Sequence, residues 1–310
     1  MNTAAILILV AFATEPLCAQ KTAAVRKTAT IIDDQTDGLA AFDPLPPMKI
    51  ESDCGRAEGP SRRSPKGLCR GSNMRGSNDA APHAWPWHVA IASYNTSWTH
   101  CGGAIVSRNV VITAAHCVES STNDNTLGYC VLAGVHDLGN SEGTKCLRAD
   151  RVVVHPEFDA DTAENDIAVL YFKKPIKFND QIRPVCLPKD EPDTGKIFYE
   201  TGWGLKEGGF SSLTLRETPI RTLGDRRCHQ YYDRGDHYKN NTMLCTCKQP
   251  CDTDSGGPLV VKNSAGRWEL HGIASWGFDH CWSLNAGREP HPGVYTKILA
   301  VRDFITGRMQ

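Results

Sequence analysis

Asp254-Ser255-Gly256-Gly257-Pro258 runs directly into Leu259-Val260-Val261, so an acid and a serine in a glycine-rich turn lead into a short apolar strand. Runs of the same texture recur along the chain. They lie at His88–Ala92, Ala104–Val106, Val110–Thr113, Val152–Val154, Ile167–Phe172, Leu270–Trp276 and Val294–Tyr295, with Gly, Pro, Asn and Asp between them. Many short strands with no long helices alternating among them argue for an all-β barrel or sandwich. Helical spacing is expected only near the end, where Ile298, Val301 and Ile305 recur between Lys297 and Thr306 and form one apolar stripe to dock on the sheets.

Two further segments carry chemistry. Thr113-Ala114-Ala115-His116-Cys117 places a histidine at the end of an apolar strand. Asn165-Asp166-Ile167-Ala168-Val169-Leu170 opens another apolar strand with an acid, and a buried aspartate costs free energy unless donors satisfy it. Each residue alone is a weak signal. Histidine, aspartate and serine in that order, each beside a strand, are far more specific.

Together with Cys101-Gly102-Gly103, Arg183-Pro184-Val185-Cys186-Leu187-Pro188, Thr201-Gly202-Trp203-Gly204, Ser275-Trp276-Gly277 and Pro292-Gly293-Val294-Tyr295, these segments make residues 74–310 resemble the trypsin and chymotrypsin family. The resemblance implies two packed antiparallel six-stranded Greek-key barrels with a C-terminal helix. It implies peptide-bond hydrolysis through an acyl-enzyme, with Ser255 as nucleophile, His116 as general base and acid, and Asp166 orienting the imidazole. The backbone N–H groups of Thr253 and Ser255 match the oxyanion hole. Gln249, Ser275, Trp276, Gly277 and Gly293 match the substrate-binding positions, with the glycines expected to leave the pocket open, and Asp254 matches the acid that receives an activation terminus. The implied disulfides are Cys101 with Cys117, Cys228 with Cys245, Cys251 with Cys281, and Cys54 with Cys186 as a propeptide tether. Cys130 and Cys146, which flank a loop, are expected to pair as an addition to the pattern, leaving Cys69 for Cys247. No cofactor is implied. A calcium loop is not expected, because Val135 and Lys145 stand about where acidic ligands would sit. Protein or peptide substrates, an activating protease, a protein inhibitor and a monomeric state complete the expectation.

The chain departs from the pattern in three places. Thr253 replaces the glycine whose N–H completes the oxyanion hole, and loss of one such donor costs about 2.7 to 4 kcal/mol of transition-state stabilisation. Met74-Arg75-Gly76-Ser77 stands where an Ile-Val-Gly-Gly-like terminus is released, and cleavage after Arg70 or Arg75 would instead free Gly71 or Gly76. Gln249 lies six positions before Ser255, so an acidic pocket base for Arg or Lys side chains is not indicated. Two readings stay open: an active endopeptidase, or a weak or inactive homologue that binds and regulates.

The chain ends and composition set the context. Residues 1–19 read as a signal peptide, because the ten apolar residues Ala4 to Ala13 precede small Ala19 and fall short of the roughly 20 that span a bilayer. A lipoprotein-type Cys18 is the weaker alternative. Residues 20–73, rich in Thr, Ala, Pro, Ser and charge, read as a largely unstructured pro-segment held by Cys54 and Cys69. Of 13 cysteines, removal of Cys18 leaves an even set suited to an oxidising, extracellular setting, and Cys245, Cys247 and Cys251 lack zinc-site spacing. Asn95 and Asn240 head glycosylation sequons. A net charge of -1 gives no reason to invoke nucleic acid or an anionic membrane.

Overall fold

The computed structural model describes residues 45–60, 77–93, 99–118, 128–140, 144, 146–191, 195–205, 210–232, 237–250, 254–277 and 292–308. The expected signal peptide, Cys69, Asn95, Thr253, Cys251 and Cys281 lie outside them. Two antiparallel sheets of seven strands account for the fold. The first contains β2 (His88–Ser93), β3 (Thr99–Ser107), β4 (Val110–Thr113), β5 (Tyr129–Ala133), β6 (Cys146–Arg148), β7 (Arg151–Val154) and β8 (Ala168–Tyr171), in the order β6-β5-β2-β3-β4-β8-β7. Only Ala149 and Asp150 separate β6 from β7, the two ends of that order. Their N–H groups bond Tyr129 on β5 and Tyr171 on β8, at 3.1 and 2.9 Å. One bent strand therefore closes the sheet, which makes it the expected six-stranded barrel.

The second sheet contains β1 (Asn78–Asp79), β9 (Phe198–Gly202), β10 (Arg216–Ile220), β11 (Met243–Thr246), β12 (Pro258–Lys262), β13 (Trp268–Gly277) and β14 (Gly293–Lys297), in the order β1-β10-β9-β12-β13-β14-β11. Beyond β10, Thr222 bridges Thr246 of β11, and Leu223 N–H bonds Cys245 at 2.8 Å. The six strands β9 to β14 thus close as well, and β1 is added outside β10.

Aromatic side chains join the barrels. Trp85 and Trp87, just before β2, pack with Tyr199 of β9 and Trp268 of β13, and Trp85 meets Trp268 edge-on with ring centroids 4.9 Å apart. The Trp85 indole also donates to buried Glu217 at 3.0 Å. Residues 45–60 of the expected pro-segment are bound here at more points than the Cys54–Cys186 disulfide. Gly55 exchanges backbone bonds with Pro184 and Trp268, and Met48 N–H bonds Thr306.

Helix content corrects two expectations. The end of the chain is helical only at α2 (Arg302–Ile305), because Lys297 is still paired in β14 with Gly272. Ile298, Val301 and Ile305 are nevertheless all buried. A helix that went unexpected, α1 (Asp225–Tyr232), buries only Cys228 and Tyr232, one turn apart. No described helix is long and apolar enough to cross a membrane.

Removing the ring at the centre of the aromatic joint leaves a cavity between two barrels that cannot collapse independently. Trp268→Ala is expected to lower stability by about 3 to 5 kcal/mol, read from the midpoint of denaturant unfolding.

Candidate active site

Strand register brings His116 to Asp166. β4 pairs with β8 so that Thr113 stands opposite Ala168. In an antiparallel pair, residues just after Thr113 then face residues just before Ala168. After extended Ala114, a short 3-10 turn at Ala115–Cys117 swings His116 back over Asp166. Its Nδ1 lies 2.8 Å from Asp166 Oδ2, and its backbone N–H donates to Oδ1 at 3.0 Å.

Asp166 is completely buried, so its carboxylate depends on donors. A third comes from the other barrel. The β13–β14 pairing passes from Ala274 opposite Tyr295 to Trp276 opposite Val294, leaving Ser275 as the extra residue of a bulge. Bulges re-aim side chains. Here the Ser275 hydroxyl donates to Asp166 Oδ2 at 2.5 Å, and Thr296 Oγ1 on β14 donates to the Asp166 carbonyl at 2.7 Å.

Ser255 sits on a turn pinned from both sides. Its carbonyl accepts Gly102 N–H of β3 at 2.8 Å, while Gly256 N–H bonds Ala274 of β13 at 2.8 Å. Gly256 has φ +76°, and a Cβ there would meet Thr113 Oγ1 at 2.2 Å and the Gly102 carbonyl at 2.5 Å. The turn therefore admits only glycine after the serine. Gly102 neighbours Cys101, whose disulfide to Cys117 holds the residue beside His116. Ser255 and His116 are thus fixed to a common piece of β3.

The residues expected to line the pocket also lie together. Gln249 is buried, and a Cβ on Gly277 would stand 2.8 Å from its Oε1 and 2.9 Å from its Cβ. A Cβ on Gly293 would stand 2.6 Å from Gln249 Cα and 2.5 Å from the Lys248 carbonyl. Among the described residues, both glycines are packed closely on Gln249. Trp276 lies edge-on to Tyr232, with ring centroids 4.8 Å apart.

Asp254 is buried and turned away from Ser255 toward the Gly202-Trp203-Gly204 turn. Gly204 N–H donates to its Oδ1 at 2.8 Å, and a Cβ on Gly202 would stand 1.9 Å from the same oxygen. Behind it lies a cavity of about 10 Å³, lined by Glu200, Gly202, Gly204, Leu205, Arg216, Thr218 and Asp254. Glu200 went unnoticed in the sequence reading. The signal was an acid inside the strand Phe198-Tyr199-Glu200-Thr201-Gly202, just before the Gly-Trp-Gly turn. It is 2% exposed, and neither carboxyl oxygen has a hydrogen-bond partner. Burial first, and the Asp254 charge second, push its carboxyl up to about 8, with the Tyr295 hydroxyl and the Lys248 ammonium pulling the other way. On the next position, Thr201 Oγ1 lies 2.7 Å from Nδ1 of buried His88, whose imidazole burial lowers to about 3 and so keeps neutral.

Four disulfides are formed among the described residues: Cys54–Cys186, Cys101–Cys117, Cys130–Cys146 and Cys228–Cys245. Cys247 is also disulfide-bonded, while its expected partner Cys69 lies outside them. Neither Cys245 nor Cys247 is then a free thiolate for zinc. Asn240 is exposed, and the hydroxyl of its sequon threonine, Thr242, donates to Glu164 at 3.2 Å.

The folded protein holds the Glu200 proton more tightly than the unfolded chain, so this group's stabilisation is complete below its ordinary value of 4.5 and declines as pH rises toward about 8. The slope is at most about 1.4 kcal/mol per pH unit. Between about pH 5 and pH 8, melting temperature should fall less steeply in Glu200→Gln than in the unaltered chain; parallel curves would contradict this.

Two closed barrels meeting at a buried aspartate, with histidine and serine fixed to one strand, are matched by relationships of sequence. A family model described as Trypsin covers residues 74–305. The clotting factor G beta subunit of Tachypleus tridentatus is 34% identical over 241 residues, which are 72% of this chain and 75% of that protein. The ovochymase of Halocynthia roretzi is 33% identical over 233 residues, 72% of this chain but 14% of its own length. On the fold, the site and these matches, the chain belongs to the trypsin family of serine proteases.

Proposed function

We propose that this chain is a secreted serine endopeptidase, with residues 1–19 as signal peptide, 20–73 as pro-segment and 74–310 as the protease domain. The observation that carries the reading is the 2.8 Å contact of His116 Nδ1 with fully buried Asp166. Held there, the imidazole presents Nε2 as the base. Nε2 takes the Ser255 proton as Oγ attacks the scissile carbonyl, then returns it to the leaving amine; water hydrolyses the acyl-enzyme by the same route. Asp166 stabilises the transient imidazolium, and Ser275 holds the carboxylate in place. The backbone N–H groups of Ser255 and Thr253 serve the oxyanion. The four disulfides suit an oxidising exterior, and exposed Asn240 suits a glycan. Protein or peptide substrates follow from the family, and a relative named as a clotting factor fits an enzyme that cuts other proteins.

The pocket favours small uncharged side chains before the cut bond, because Gln249 occupies the space beside Gly277 and Gly293 and offers no carboxylate to Arg or Lys. A weakly active or inactive homologue is the competing reading, and Thr253 is the observation that favours it.

A fluorophosphonate probe should label Ser255 stoichiometrically in the mature protein and not in Ser255→Ala; absent labelling after limited trypsin treatment would establish the inactive homologue. In a peptide-library scan, Gln249→Gly should shift preference from small to larger apolar residues before the cut. Dominant cleavage after Arg or Lys in the unaltered enzyme would refute the pocket reading. Asp166→Asn should reduce kcat about ten-thousandfold, as the wrong imidazole tautomer does in comparable triads.

A further inference from the structure

The seam between the barrels holds an imidazole that the triad does not use. His88 stands on β2 opposite Ala104 of β3 and is 3% exposed. A polar ring buried to this degree costs free energy that an apolar ring of the same size would not, so its place calls for a reason. Nδ1 lies 2.7 Å from Thr201 Oγ1 of β9, and the ring meets Trp203 edge-on with centroids 4.8 Å apart. Nε2 has no hydrogen-bond partner among the described residues, so the far edge of the ring acts by contact. Burial lowers the imidazole to about 3, which makes it a neutral spacer across the neutral pH range.

That contact falls on the support of the nucleophile turn. A Cβ on Gly102 would stand 3.2 Å from His88 Nε2 and 3.0 Å from Gly257 Cα, and a Cβ on Gly257 would stand 3.6 Å from His88 Cε1. The two glycines therefore lie against each other and against the ring. Both also hold Ser255: Gly102 N–H bonds the Ser255 carbonyl at 2.8 Å, and Gly257 N–H closes the turn onto the Asp254 carbonyl at 2.9 Å. Next to Gly102, Cys101 is bridged to Cys117, the neighbour of His116. Neither glycine has a side chain with which to fill the space the ring occupies, and close-packed interiors shift backbone when such a space opens. The Thr201 bond fixes the plane of the ring and so keeps its far edge turned to the glycines.

We propose that His88 is a positioning residue for the nucleophile: its imidazole braces Gly102 and Gly257 together and so holds the Ser255 turn where Ser255 Oγ can reach His116 Nε2. It touches neither substrate nor the reacting atoms and acts through the two glycines. This rests on the reading of Ser255 as the nucleophile. Because a misplacement of about 1 Å at a reacting group costs on the order of a hundredfold in rate, a brace that fixes the turn by a fraction of that distance is worth about tenfold or more.

The test follows labelling of Ser255 by a fluorophosphonate over a range of probe concentrations, in the mature protein and at a temperature where every variant is fully folded. His88→Ala is expected to lower the limiting rate of labelling by about tenfold to a hundredfold and to leave the half-saturating probe concentration unchanged. His88→Asn keeps an amide where Nδ1 lies, and with it the Thr201 bond, but is too short to reach the glycines; it should be as slow as the alanine variant. His88→Gln has the reach of the ring and no charge, and should restore most of the rate. If His88→Ala does not fold, the asparagine and glutamine variants carry the comparison. An unchanged limiting rate in His88→Ala or His88→Asn, or a loss shared equally by His88→Gln, overturns the proposal. Amide hydrogen exchange gives a readout that needs no chemistry at Ser255. In His88→Asn the Gly102 N–H should exchange about tenfold faster, while the Val185 N–H, bonded to the Ile105 carbonyl of the same strand at 3.0 Å, keeps its rate. Equal acceleration of both marks a general loosening and also overturns the brace. No labelling of the unaltered protein refutes the proposed endopeptidase, and exchange at Gly102 then still decides whether His88 holds the turn.

Discussion

A carboxylate removed entirely from water has to find its donors in the protein, and Asp166 finds them in both barrels at once. The first barrel supplies the backbone and side chain of His116; the second supplies Ser275. Neither barrel alone satisfies the residue. The correct packing of the two is therefore tied to the geometry of the imidazole, and any slip that separated them would leave an unpaired charge in the interior. The aromatic joint of Trp85, Trp87, Tyr199 and Trp268 adds apolar burial along the same seam.

The second barrel contains a contrasting acid. Asp166 is surrounded by donors, whereas neither Glu200 oxygen has a hydrogen-bond partner of good geometry among the described residues, and Asp254 lines the same cavity. Burial without compensation lowers stability at neutral pH, so its position between Asp254 and the Gly-Trp-Gly turn is a local cost in the fold. Next to Glu200 on β9, Thr201 meets buried, neutral His88 of β2, across the seam between the barrels. Asp254, which precedes Ser255, is held on this side by the Gly204 N–H.

Much of this was legible in the residues. The short-strand texture points to an all-β barrel or sandwich, and the order of His116, Asp166 and Ser255 carries the resemblance that implies two barrels. Strands with alternating polar residues were harder to see. Arg216–Ile220 begins Arg-Glu-Thr, and buried Glu217 accepts a hydrogen bond from Trp85, 132 positions away. The helix α1 was hidden for a similar reason, since its apolar stripe is just Cys228 and Tyr232, and the cysteine is held by a disulfide to β11. At the other end, helical spacing of Ile298, Val301 and Ile305 overstated a helix whose first residues belong to a strand.

What the sequence determined by itself was chemical identity: which side chains are present, their order, and the periodicity that makes strands between glycine-rich turns. These are local properties, set by neighbours a few positions away. Tertiary structure alone decided the rest. The opposition of Thr113 to Ala168, the bulge that aims Ser275 at Asp166, the packing of Gln249 on Gly277 and the meeting of Glu200 with Asp254 all depend on strand register and barrel closure. Register follows from the summed burial of many distant residues, and a shift of one position would send every side chain of a strand to the opposite face.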